Sequence, residues 1–107
     1  MVSAWTVALK ESVVDDLRTF GKQGRVLLRT AASRLAENPL AHTRQPKTLR
    51  ANPVAQRELR LFGRYRVLFT VDEAEAVVTI VLVGEKKGNS LYVQGKRFTA
   101  HESRSTE

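Results

Sequence analysis

The chain of 107 residues contains no cysteine, so it has neither a disulfide framework nor a thiolate metal site. It has only two histidines, His42 and His101, far apart in sequence and with nothing to place them together. A histidine pair for acid–base chemistry is therefore not expected, and without clustered acids neither is a catalytic metal. No apolar run approaches the roughly 20 residues of a transmembrane helix. Met1 to Trp5 lacks a basic stretch followed by an apolar one, so no signal peptide is expected. These absences point to a cytoplasmic protein without membrane partners or cofactors. Acids are also scarce: 11 stand against 18 lysines and arginines, for a net charge of +7.

The positive charge is clustered. Between Arg44 and Arg66 lie Lys47, Arg50, Arg57, Arg60 and Arg64, with Glu58 the one acid. Lys86, Lys87, Lys96 and Arg97 form a second basic group. Such clustering is the electrostatic footprint of a polyanion site, with nucleic acid the leading candidate. Composition alone leaves an acidic protein partner or a solubility surface as alternatives.

One segment carries most of the structural information. In Arg57–Val71, Leu59 and Leu61 alternate with Glu58 and Arg60. After Gly63, the apolar Tyr65, Val67, Phe69 and Val71 alternate with Arg66, Leu68 and Thr70. This period of two predicts a half-buried hairpin. Paired residues share a face. For the odd-numbered residues of both strands to face the core, paired numbers must sum to an even value, which requires an odd loop. A three-residue loop of Phe62-Gly63-Arg64 or of Gly63-Arg64-Tyr65 satisfies this. The same register puts Glu58, Arg60 and Arg66 together on the opposite face.

Elsewhere, Ala4–Lys10 alternates as a first strand. Glu11–Phe20 has helical spacing, with Glu11, Asp15 and Asp16 read as acids of the first turn. A second helix is predicted over Lys22–Glu37 with Leu28, Ala31, Ala32 and Leu35 as its apolar stripe, stopped by Asn38-Pro39. Leu40–Ala55 reads as a loop and Asp72–Glu75 as a polar turn. Ala76–Gly84 reads as a central strand, Gly84–Gly88 as a basic turn, and Leu91–Val93 as a strand or a helical turn. Thr99–Glu107 reads as a polar, flexible tail. The expectation is a single α+β domain over 1–98 in the order β-α-α-β-β-β, its mainly antiparallel sheet covered on one face by the helical hairpin.

With these features the chain resembles the RelE/ParE superfamily of toxins from type II toxin–antitoxin modules. The resemblance rests on the Trp5 strand, Leu35-Ala-Glu-Asn-Pro39, Lys47-Thr-Leu49, Glu58-Leu-Arg60, Tyr65-Arg-Val-Leu-Phe69, and Val83-Gly-Glu-Lys-Lys87 followed by Tyr92. It covers residues 4 to 98 and implies a cognate antitoxin protein as partner. The RelE branch implies a metal-free endoribonuclease cutting messenger RNA among ribosomal RNA. The ParE branch implies a non-enzymatic inhibitor of DNA gyrase. A basic nucleic-acid-binding domain without toxicity is the third reading.

By position, the RelE-like resemblance makes Arg66 the cation facing the transition-state phosphate. Arg60 would hold phosphate beside it, and Tyr92 would stack on a base or assist proton transfer. Glu58 stands where the best-studied RelE pattern has lysine, and is either a general base or the counter-ion between the two arginines. Arg57, Arg64, Lys86 and Lys87 are candidate RNA-phosphate contacts, with the choice between Lys86 and Lys87 open.

Overall fold

The computed structural model describes residues 5–40 and 57–98. The elements are β1 (Thr6–Leu9), α1 (Glu11–Arg18), α2 (Lys22–Glu37), β2 (Arg57–Leu61), β3 (Tyr65–Asp72), β4 (Val77–Lys87), β5 (Ser90–Val93) and β6 (Lys96–Phe98). The fold is α+β, as expected, with two short strands added at the end. The predicted loop at 41–55 and the tail at 99–107 lie outside the described residues.

β4 organises the sheet. Along one edge it pairs antiparallel with β3, which pairs with β2. Its other edge is shared: β1 runs parallel to Val77–Ile80, and β5 runs antiparallel to Glu85–Lys87. Its β-branched, apolar sequence suits this central place. The hairpin register has the even sum parity requires, and of the two loops it allows the structure shows Phe62, Gly63 and Arg64, with Leu61 opposite Tyr65. Phe62 and Gly63 both take positive φ there (53° and 79°).

A bulge separates Leu68–Leu82 from Phe69–Ile80, leaving Val81 without a β3 partner. Val81 and Leu82 therefore both join the open face, while Ile80 and Val83 stay in the core.

The main core lies between the sheet and the helices. Val13 of α1 and Leu27, Ala31 and Leu35 of α2 pack with Leu59, Leu61, Val67, Phe69, Val78, Ile80 and Val83. Removing the fully buried Phe69 ring would cost about 3–5 kcal/mol. The buried stripe of α2 is Gly24, Leu27, Ala31 and Leu35, so the expected Leu28 and Ala32 sit at its flank. The stripe is rotated because Gly24 touches α1. A Cβ on Gly24 would collide with the backbone carbonyl of Leu17. The glycine is the crossing point of the hairpin.

The expected turn from Gly84 to Gly88 is corrected. Glu85, Lys86 and Lys87 continue β4, and only Gly88 and Asn89 turn the chain into β5. Leu91–Val93 is a strand, followed by a two-residue turn at Gln94-Gly95 into β6.

Candidate functional site

The sheet face away from the helices holds a charged cluster at one end. Pairing aligns Arg60 of β2, Arg66 of β3 and Gly84 of β4 across that face. Glu58 sits two residues from Arg60 and opposite Leu68. Its Oε1 lies 3.7 Å from Arg60 Nε and its Oε2 3.9 Å from Arg66 Nε. One carboxylate thus spans two guanidiniums, one oxygen to each.

The two arginines differ in exposure. Half of the Arg60 side chain is open to solvent, against 8% for Arg66. Arg66 Nη1 donates to the carbonyls of Gly63 (3.2 Å) and Tyr65 (3.1 Å). These bonds hold the Arg66 guanidinium from behind, one from the hairpin loop and one from the first residue of β3. Arg66 is a pre-set cation and Arg60 a solvent-exposed one. The cluster of Glu58, Arg60 and Arg66 carries a formal net charge of +1.

Register also settles the lysines. Lys86 pairs with Leu91, whose side chain belongs to the open-face apolar cluster around Leu68. Lys86 therefore faces the side of Arg66. Its backbone N–H donates to the Arg64 carbonyl at 2.6 Å, which extends the β3–β4 ladder past Tyr65.

The other expected site residues fall on the opposite face. Tyr92 pairs with Glu85, which pairs with the core residue Tyr65. Tyr92 thus points to the helix side, with Lys87 Nζ 5.3 Å from its ring centroid. Arg64 lies 3.6 Å from Glu85 and over the Tyr65 ring. Arg57, opposite Phe69, reaches the Leu40 carbonyl. The physical reason is the length of β4. Because Glu85–Lys87 is strand and not turn, alternation continues through it and sends Lys86 and Tyr92 to different faces. Gly84 is needed at this junction, since a Cβ would meet the Tyr92 carbonyl oxygen at 2.7 Å.

One buried acid is structural and is not part of this cluster. Asp16 on α1, 2% exposed, accepts the Val83 N–H at 3.0 Å and Gln94 Nε2 at 2.5 Å. Burial pushes its carboxyl above the ordinary aspartate value, and the two hydrogen bonds oppose that shift only in part. The expectation of a first-turn acid is corrected to a buried acceptor. The signal was in the spacing, since Asp16 falls on the stripe of Val13, Leu17 and Phe20.

Among the described residues, no group of three or more His, Asp or Glu side chains is placed to hold a metal ion. Among them also, no helix is long and apolar enough to cross a membrane.

No protein-family model matches the chain, and no curated protein does. Solved structures do. A chain of the toxin–antitoxin complex RelBE2 from Mycobacterium tuberculosis superposes with a TM-score of 0.66 at 24% identity, covering 80% of this chain and 94% of that one. The E. coli toxin RelE, solved as a double arginine-to-alanine mutant with a peptide of its antitoxin RelB, superposes with a TM-score of 0.58 at 22% identity. That match covers 79% of this chain and 86% of that one. With its helical hairpin laid on one face of a mainly antiparallel sheet, this chain has the RelE/ParE-like fold of these toxin–antitoxin proteins.

Proposed function

We propose that the chain is the toxin of a type II toxin–antitoxin module and acts as an endoribonuclease on messenger RNA in the ribosome. The observation that carries this reading is the pre-set Arg66 guanidinium beside Arg60 and Glu58, on the open face of a RelE/ParE-like fold. The net charge of +7 suits a site crowded by ribosomal RNA phosphates. The solved relatives are held with antitoxins, which supports an antitoxin partner here.

In the reaction, the RNA 2′-hydroxyl gives its proton to solvent, its oxygen attacks the adjacent phosphorus, and the P–O5′ bond breaks as the 5′-oxygen takes up a proton. The products are a 2′,3′-cyclic phosphate and a 5′-hydroxyl. Arg66 stabilises charge as it develops on the phosphorane, and its fixed orientation avoids reorganisation during the step. The arriving phosphate draws Arg60 away from Glu58, since two charged groups compete for one exposed guanidinium. In the free protein Glu58 is the counter-ion that keeps two close cations tolerable, and it stays with Arg66 once the phosphate has taken Arg60. Lys86, on the same face, donates the proton to the leaving oxygen. Tyr92, Lys87, Arg57 and Arg64 have no part in this chemistry, because their side of the sheet is the other one.

Induced expression in bacteria tests the reading, with translation and DNA-damage reporters followed together. Rapid loss of translation with cleaved messenger RNA, abolished in a folded Arg66→Ala variant, is the expected result. DNA damage with intact messenger RNA would replace it by a gyrase inhibitor. No growth effect from folded wild type would leave a basic binding domain.

A further inference from the structure

The open face does not end at Arg66. Beyond Arg60, Arg66 and Gly84, Val93 of β5 lies against Gly84, where its side chain would meet a Cβ at 3.1 Å, and Val93 pairs with Lys96 of β6. The packing around Gly84 confirms the alignment, since the side chains of Leu91 and Val93 both lean over it. On β6, Phe98 lies two residues from Lys96 on the same face, opposite Leu91, and packs into the apolar cluster of Leu68. Three strand spacings separate Arg66 from Lys96, about 14 Å. The face therefore runs from two guanidiniums, over an apolar floor, to an exposed lysine beside a half-buried aromatic ring. Arg97, between Lys96 and Phe98 in sequence, points to the other side with Tyr92.

We infer that Lys96 and Phe98 form a second RNA subsite, in which Phe98 stacks on an unpaired base and Lys96 holds a phosphate away from the one at Arg66. This rests on the reading of the open face as an RNA site, and gives β6 the base-holding task expected of Tyr92. Single-stranded RNA alternates charged phosphates with flat apolar bases. The cation–apolar–cation order across the sheet complements that alternation, and base stacking on an aromatic tolerates any sequence.

The test uses the full chain and a 2′-O-methyl RNA oligonucleotide, which binds but offers no 2′-hydroxyl nucleophile. Affinity is measured by fluorescence anisotropy over a series of salt concentrations. Phe98→Leu keeps an apolar side chain opposite Leu91 and removes the stacking surface. It weakens binding about tenfold. Lys96→Ala lowers the slope of log affinity against log salt by about 0.7, the value for one single-strand phosphate contact. Arg97→Ala removes the same charge from the opposite face and leaves the slope unchanged. Wild-type affinity in Phe98→Leu with an unchanged slope in Lys96→Ala overturns the inference, as does an equal loss of slope in Arg97→Ala or a wild type that binds no RNA. Binding through Lys96 and Phe98 by a protein that cuts nothing on ribosomes would sustain the subsite and remove the nuclease reading alone.

Discussion

The carboxylate of Asp16 accepts the backbone N–H of Val83 at 3.0 Å, joining α1 to the centre of the sheet. β1 stops pairing with β4 at Ile80 and β5 begins at Glu85. Val83 lies in the gap between them, where its N–H has no strand partner on that edge. Asp16 fills the gap and, through Gln94, also ties down the β5–β6 turn.

Asp16→Ala leaves that buried N–H without its acceptor and is expected to cost about 1–3 kcal/mol. Asp16→Asn retains an acceptor and costs less. The two also differ in pH dependence. Burial raises the native carboxyl above its unfolded value of 3.8, so the native state binds the proton more tightly. The resulting stabilisation is complete below the unfolded value and is lost as pH rises through the raised native value. The stability of wild type relative to Asp16→Asn is therefore larger near pH 4 than near pH 7. Urea unfolding of both proteins at the two pH values checks this.

Gly24→Ala is expected to destabilise the protein by about 1–3 kcal/mol, because the new methyl group drives α2 off the Leu17 carbonyl. Helix propensity alone predicts a gain of about 1 kcal/mol from the same change. The sign of the shift in melting temperature decides between close packing and propensity.

Glu58→Gln separates its two readings. As counter-ion, Glu58 restrains Arg60 and offsets positive charge, so its neutralisation strengthens RNA binding and leaves kcat within about tenfold. As general base it would be worth about 10²–10⁴ in kcat. Glu58→Ala also weakens the fold by about 1–3 kcal/mol, since Arg66 is 7% exposed and loses the carboxylate beside its Nε. Single-turnover cleavage and thermal unfolding of the two variants give both answers.

Sequence made some of this legible. Parity gave the common face of Glu58, Arg60 and Arg66, because a single-residue slip would turn every core side chain outward, while the choice between the two three-residue loops came from the structure. The bounds of α2 followed from Gly21 and Asn38-Pro39. The end of β4 did not, because Glu85-Lys86-Lys87 has the polarity of a turn and continues as strand through backbone pairing with β5. That hid the face of Tyr92 and left β6 unseen, since Lys96-Arg97-Phe98 offers one apolar residue and no alternation. The spacing places Asp16 on the buried stripe of α1, but its hydrogen-bond partners were hidden, because they are 67 and 78 residues away.

By the proposed reaction, the Arg60–Arg66 face cuts messenger RNA through 2′-oxygen attack. The most direct test is purified protein added to ribosomes carrying a defined messenger RNA, with the chemistry of the new ends determined. The expected result is cleavage in the decoding site leaving 2′,3′-cyclic phosphate and 5′-hydroxyl ends, reduced at least about a hundredfold by Arg66→Ala and little changed by Tyr92→Ala. Intact messenger RNA with folded wild type, or cleavage that survives Arg66→Ala and is lost in Tyr92→Ala, would contradict it.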